Sequence, residues 1–336
     1  LAGQDILGSA ETGSGKTAAA ELAILRLLKE HRGRKVCVYV APLKALVRER
    51  IKDWRKRLGA LDMRDILPSK RGRPQRIRVV EVTGDTSDSM RDAHVIVTTP
   101  EKWDGISRAW RRRGIVKRVG LVIVDEIHLL GSDRGPVLEV LVSRMRYISE
   151  QLKQHVRVVG LSTALANAGD LADWLGIKRG PHGGLYNFSP SVRPVPIDVH
   201  IAGYPGQHYC PRMATMNRPA YASIQQYAEG KPTLIFVASR RQTRLTALEL
   251  ISLSAASDMP RQWVGASASG EELSTIASTL RDGALRDTVP FGVGIHHAGL
   301  SAHDRNTIEE LFRNGKLLVL VCTSTLAWGV NFPARL

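Results

Sequence analysis

Eight short runs rich in β-branched residues recur along the chain, with helically spaced stretches between most of them. The runs are Val36–Ala41, Arg78–Thr83, His94–Thr98, Leu121–Asp125 and Val156–Ser162, then, after a gap, Thr233–Ala238, Gly292–His296 and Leu317–Cys322. A parallel strand pair needs a long crossover, and the crossover helix covers a sheet face. The alternation therefore predicts an α/β chain of mostly parallel sheets with helices on both faces. A stretch rich in Pro, Gly and Tyr, Ser189 to Pro219, separates the two sets. The expected division is a first lobe over residues 1–200, a linker over 201–230 and a second, incomplete lobe over 231–336.

Composition narrows the class. The chain has 336 residues, 43% hydrophobic and 24% charged, which excludes collagen-like, mucin-like and wholly disordered chains. The longest apolar runs, Val119–Val124 and Leu317–Cys322, are too short to cross a bilayer, and no basic-plus-apolar leader opens the chain. No membrane partner is expected. Three scattered cysteines (Cys37, Cys210, Cys322) without metal-ligand spacing suit a reduced intracellular protein, cytoplasmic or nuclear, with no structural zinc. The first residue is Leu1, as in a piece of a longer protein. Lys and Arg number 48 against 32 Asp and Glu, a net charge of +16. An excess of this size favours an anionic partner such as nucleic acid. Because 35 of the 48 are Arg, compositional bias explains the excess equally well.

Ala10-Glu11-Thr12-Gly13-Ser14-Gly15-Lys16-Thr17 fits a phosphate-binding loop, with Ala in place of the first Gly. Such a loop needs small residues where backbone amides wrap an anion, then a helix whose N-terminus faces it. Leu22, Leu25 and Leu28 supply the helical spacing over Ala18–Glu30. Thr12 to Lys16 would cradle the phosphates of ATP, Lys16 neutralising them, and Thr17 would hold Mg²⁺. Further on, the apolar run Leu121–Val124 ends in Asp125-Glu126-Ile127-His128. Carboxylates at a strand's C-terminal end lie where α/β proteins bind ligands. Asp125 is the expected Mg²⁺ ligand and Glu126 the base that deprotonates an attacking water. Alone, such a pair is often a solvated turn; the upstream loop turns the balance toward chemistry.

These blocks, with Ala41-Pro42-Leu43-Lys44, Thr83-Gly84-Asp85, Thr98-Thr99-Pro100, Ser162-Thr163-Ala164, Ser239-Arg240, His296-His297-Ala298-Gly299 and Thr323 to Asn331, resemble a superfamily 2 DExH helicase of the superkiller-like group. Asp133 to Val140, Ser191-Val192-Arg193-Pro194-Val195-Pro196 and Arg240 to Leu248 resemble its tandem-cassette members, and Ala41 to Arg50, Glu101 to Arg108 and His208 to Pro219 resemble the second cassette of such a protein most. The resemblance implies two RecA-like lobes that close around ATP and step a strand through 3′ to 5′. It implies strand contacts from Pro42, Lys44 and Thr99 in the first lobe and from Ser239, Arg240, Gly299 and Thr323 in the second. Ser162 and Thr163 would couple nucleotide state to closure, His128 would complete the catalytic set, and Gly329 and Asn331 would reach the nucleotide. The implied partners are single-stranded or partly duplex RNA or DNA, a multiprotein complex and ribosomes, in ribosome quality control or alkylation repair.

The chain departs from that group at Glu11, where Pro is usual, and at Ile66–Arg78, a basic loop that reads as an insertion. The group's aromatic-plus-Gln segment before the loop and its Gln-x-x-Gly-Arg-x-Gly-Arg segment, which carries an arginine finger, fall outside these residues. The expectation is a piece that binds nucleotide and turns it over slowly, since such an arginine is worth about 10³ to 10⁵ in rate. A non-hydrolysing ATP-binding cassette used as a docking platform is the alternative. A kinase is disfavoured, because no segment offers a lid or a catalytic-loop Asp. Lys52 and Arg55 read as the solvated face of an amphipathic helix, whereas Lys44 sits at a strand-to-helix turn. Arg111 to Arg113 read as a solvated loop and Trp328 as a packing residue.

Overall fold

The computed structural model describes residues 3–61, 63, 76–85, 88–131, 135–180, 182–205, 208–324, 326 and 332–336. The chain divides into two compact units, Leu1–Asp198 and Val199–Leu336.

The first unit runs β1 (Ile6–Ser9), α1 (Lys16–His31), β2 (Val36–Val40), α2 (Lys44–Arg57), β3 (Val79–Val82), β4 (Val95–Thr98), α3 (Pro100–Arg108), α4 (Gly114–Lys117), β5 (Val119–Val124), α5 (Gly135–Gln151), β6 (Arg157–Ser162), α6 (Ala168–Leu175) and β7 (Leu185–Asn187). Its seven strands form one sheet in the order β3-β4-β2-β5-β6-β1-β7, every pair parallel. Every residue of β2, β4, β5 and β6 is buried, as expected of strands covered on both faces. Two apolar clusters lie on the two sides. One joins Trp103, Leu138, Leu141 and Met145 to Val38, Val122 and Val124, and the other joins Ile24, Leu28, Ile51 and Trp54 to Tyr39, Leu121 and Ile123.

All eight anticipated strands form, most of them trimmed by a residue or two at their ends. Two were not anticipated. β1 is only Ile-Leu-Gly-Ser and β7 only Leu-Tyr-Asn, too short and too poor in β-branched residues to stand out. The helix after the loop forms, yet its buried stripe is Ala20, Ala23, Ile24, Leu27 and Leu28, and Leu22 is 55% exposed. Leu22 lies two residues from Ile24, about 200° around the helix, and so falls on the face opposite the buried stripe.

The second unit runs α7 (Tyr209–Thr215), α8 (Asn217–Tyr227), β8 (Thr233–Phe236), α9 (Arg240–Ala256), α10 (Gly270–Thr279), α11 (Gly283–Thr288), β9 (Val293–His296), α12 (Ala302–Arg313) and β10 (Val319–Cys322). Its sheet is parallel in the order β8-β10-β9. Segment 201–230, read from sequence as a linker, carries α7 and α8, and Ile224 and Ala228 enter this unit's core beside Leu250, Trp263 and Phe312. Their spacing of four places both on one helical face, a signal masked by the surrounding Gly, Pro and Tyr. Among the described residues, no helix is long and apolar enough to cross a membrane.

A candidate nucleotide site and two candidate strand-binding edges

Ser9 ends β1 and Lys16 begins α1, and the chain between them turns through two left-handed glycines, Gly13 at φ +86° and Gly15 at φ +91°. Only glycine adopts that backbone without strain, which is why the loop has glycine at both places. Inside the turn, Ser14 donates its hydroxyl to the Glu11 carbonyl at 2.6 Å. Lys16 folds back over the loop and donates Nζ to the carbonyls of Ala10 at 2.7 Å and Glu11 at 3.1 Å. Burial pulls the Lys16 pKa down, opposed by the negative charges of Glu126, Asp125 and Glu11. Thr12 is exposed and Thr17, the second residue of α1, is half-buried.

Asp125 follows β5 directly, its amide bonded to the Val40 carbonyl at 3.0 Å. Asp125 Oδ1 accepts from the Glu126 amide at 3.0 Å, and Oδ2 accepts from the hydroxyl of Tyr39 in neighbouring β2. Tyr39 is 1% exposed, with its ring edge-on to Trp54 at 4.9 Å. Burial first, then the Asp125 charge, hold its phenol well above the ordinary range, so it remains a donor. Glu126 is a non-glycine residue at φ +51°, a sparsely populated backbone that clusters at functional sites. Burial raises its pKa, the Asp125 charge adds to the rise, and Lys16 opposes it. His128 Nδ1 lies 3.4 Å from Glu126 Oε2 and 3.4 Å from Ser162 Oγ. Burial, then Lys16, lower its pKa, opposed by Asp125. Ser162 ends β6 fully buried; its carbonyl accepts from the Ala10 amide at 3.1 Å, and the Ser9 hydroxyl donates to the Thr163 carbonyl at 2.7 Å. The loop, the carboxylate pair and Ser162–Thr163 thus meet at the carboxyl ends of β1, β5 and β6.

Pro42, Lys44 and Thr99 lie farther along the same carboxyl edge, after β2 and β4. Pro42 and Thr99 are buried, Thr99 being the residue before α3, so of the three only the Lys44 side chain is exposed. Its Nζ donates to Asp85 Oδ1 at 2.8 Å, and Arg48 reaches the other Asp85 oxygen at 3.4 Å. The Lys44 bond and charge hold the Asp85 carboxyl below its usual range. Arg55, on the same helix, pairs with Asp88.

In the second unit, Ser239 caps α9 by accepting from the Gln242 amide at 3.2 Å, leaving Arg240 exposed as the first helical residue. Gly299 lies against it: a Cβ there would stand 2.9 Å from Arg240 Nη1 and 3.2 Å from His297 Nδ1. Thr323 follows β10, its amide bonded to the His296 carbonyl at 3.1 Å. Ser239, Arg240, Gly299 and Thr323 therefore share the carboxyl end of this sheet. His296 is occupied by Glu309, 2.9 Å from its Nε2. Gly329 and Asn331, with Trp328, Asp133, Arg134 and positions 66–75 of the basic loop, lie outside the described residues.

Two side chains that sequence reasoning did not single out belong to this site. Tyr39 is the one aromatic in a buried strand of valines and a cysteine, a visible but ambiguous signal. Arg193 sits in a block that resembled the family yet had no chemistry of its own; the fold brings it beside Gly13.

Parallel sheets with a phosphate-type loop and an acidic pair at one carboxyl edge are what helicase cores share, and the comparisons agree. The chain belongs to the DEAD/DEAH box helicase family, whose model matches residues 1–171, and a helicase conserved C-terminal domain matches residues 220–335. Over 335 residues it is 58% identical to "Activating signal cointegrator 1 complex subunit 3" of Danio rerio and 56% to that of Homo sapiens, covering 99% of this chain but 21% and 14% of those proteins. It is 59% identical over 332 residues to the "DExH-box ATP-dependent RNA helicase DExH14" of Arabidopsis thaliana, 15% of whose length it spans. The fold is also that of the DUF1998 helicase MrfA, solved bound to DNA, with a TM-score of 0.61 at 16% identity over 98% of this chain and 39% of that one. Family membership implies use of ATP.

Proposed function

We propose that this chain is the motor core of an ATP-dependent nucleic-acid translocase that steps 3′ to 5′ along single-stranded RNA or DNA. One observation carries the reading: the loop that holds Lys16 and the strand end that holds Asp125, Glu126 and His128 meet at the carboxyl edge of the first sheet, both touching Ser162 at the end of β6.

The residues fit a magnesium-bound triphosphate. Gly13 and Gly15 leave the loop's amides uncovered by side chains, α1 points its N-terminus at them, and Lys16 supplies the positive charge. Thr17 and Asp125 would hold the ion, a donor set small enough to leave places for water and phosphate oxygens. When bound, the metal would neutralise charge building up on the phosphate oxygens. Glu126 takes the proton from an attacking water, and its raised pKa suits it to that exchange. His128 bridges this base to Ser162, giving a route by which events at the phosphates reach β6. Lys44 and Arg240 offer exposed positive charge to a strand's phosphates.

Identity to proteins named as subunits of the activating signal cointegrator 1 complex supports a place within a multiprotein complex; the proposal extends, on the sequence resemblance alone, to the second of two helicase cassettes, acting in ribosome quality control or alkylation repair in the cytoplasm or nucleus. The test uses full-length protein. Glu126→Gln should abolish strand-stimulated ATP turnover while nucleotide binding persists. An unchanged rate would refute the motor reading and favour a docking cassette.

A further inference from the structure

The segment after β7 is not a free connection. β7 pairs in parallel with β1, setting Ser9 opposite Asn187. The Phe188 amide then donates to the Ser9 carbonyl at 2.8 Å, and the Asn187 amide group donates to the Leu165 carbonyl at 3.1 Å. A single 3₁₀ turn, Pro190–Val192, follows, closed by the Arg193 amide on the Pro190 carbonyl at 3.1 Å. These bonds tie the strap to β1, the strand that feeds the phosphate loop. Phe188 and Val192 wall a cavity of about 180 Å³ whose other lining includes Ser14, Gly15 and Lys16.

Arg193 ends this strap beside the loop. A Cβ placed on Gly13 would lie 3.7 Å from Arg193 Nε and 4.0 Å from Nη2. Its Nη1 is shut off from solvent and, among the described residues, has no hydrogen-bond partner. A guanidinium nitrogen withdrawn from water without an acceptor is costly, so an acceptor is the missing element. What the neighbouring loop is built to receive is an anion rich in acceptor oxygens, and a guanidinium pairs with phosphate through two parallel hydrogen bonds.

We propose that Arg193 is a second cationic contact to the nucleotide's phosphate tail, supplied from within the first unit alongside Lys16. The proposal rests on the nucleotide-site reading above and adds to it a specific residue. Because Arg193 is carried on the strap, a phosphate that engages it also fixes the segment leading out of the first unit.

The test measures equilibrium binding of ADP and of the slowly hydrolysed analogue ATPγS to full-length protein, with the nucleotide-free melting midpoint recorded for each variant. Arg193→Met keeps the aliphatic stem and removes the charge. It should weaken both ligands by about tenfold to a hundredfold, the worth of a charge-assisted hydrogen bond, with the midpoint unchanged. Arg193→Lys should recover part of the loss. Lys16→Ala is the reference and should weaken binding at least as much. Binding by Arg193→Met within twofold of the parent, while Lys16→Ala loses it, overturns the proposal and leaves the nucleotide site standing. Equal losses in Met and Lys variants with a lowered midpoint overturn it in favour of a packing role. Unchanged binding in Lys16→Ala as well overturns the nucleotide-site reading itself.

Discussion

Replacing Tyr39 with Phe isolates one hydroxyl at the end of β2. The ring stays, and with it the edge-on packing on Trp54 at 4.9 Å and 74°, so no cavity larger than an oxygen opens. The bond to Asp125 Oδ2 is lost. A hydrogen bond to a charged group is worth about 1.5–3 kcal/mol, part of which returns because the phenol is no longer desolvated. A net loss of about 1–2 kcal/mol corresponds to a fall in melting midpoint of about 2–8 °C for a unit of this size. The functional effect should be sharper than the loss of stability. Among the described residues, Asp125 then keeps the Glu126 amide on Oδ1 to orient it. Removing a hydrogen bond that orients a metal ligand typically costs about 10–100-fold in metal affinity. Strand-stimulated ATPase of the full-length protein, titrated with free Mg²⁺ at saturating ATP, should show half-saturation raised by that factor, with turnover at high Mg²⁺ largely restored. A variant with parental Mg²⁺ dependence, or one that no Mg²⁺ concentration rescues, would refute the view that Tyr39 acts by aiming Asp125.

Glu126 has its pKa raised by burial and the Asp125 charge, so its base form disappears at a higher pH than for an ordinary glutamate as pH falls; the acid limb of the ATPase profile should sit above the ordinary glutamate range. The same shift means that ionising Glu126 costs folding stability, and the stabilising protonated form is lost as pH rises through its folded pKa. Glu126→Gln should therefore melt higher than the parent at pH 8, with the gain shrinking toward pH 4; a lower midpoint at pH 8 would contradict this. Gly13→Ala should weaken nucleotide binding and cost about 1–2 kcal/mol, because its φ of +86° disfavours an L-residue while the nearest atom, at 3.7 Å, is no obstacle; thermal melts and nucleotide titrations check it. Asp85→Asn releases Lys44 from its ion pair, and single-strand affinity should rise severalfold with a steeper salt dependence; an unaltered salt slope would remove Lys44 from the strand path.

Residues 10–17 and the pair Asp125–Glu126 could be read directly because their chemistry is local, whereas His128 was marked by family resemblance. The loop needs glycine at defined places in one turn, and the acids need only follow an apolar strand. Pro42, Lys44, Thr99, Ser239, Gly299 and Thr323 were marked by family resemblance, since nothing in their spacing demands contact with a strand. The structure adds that Pro42 and Thr99 are buried and that Lys44 is already paired with Asp85. Helices α7 and α8 were hidden because a composition rich in Pro, Gly and Tyr describes loops on average, whereas Ile224 and Ala228 are defined by what they pack against.

The sequence by itself determined that the chain forms parallel α/β sheets and carries a phosphate loop and an acidic strand end. Hydrophobic periodicity, glycine conformation and charge at strand ends act over a few residues. Only the tertiary structure decided that β1 lies between β6 and β7, and with it which groups meet. That order sets Ser162 against Ala10 and carries Arg193 to Gly13 across 180 positions of chain, while the pairing of β2 with β5 puts the Tyr39 hydroxyl on Asp125 across 86. Those partners are fixed by strand order and register, which arise from packing the whole sheet and are written in no local run of residues.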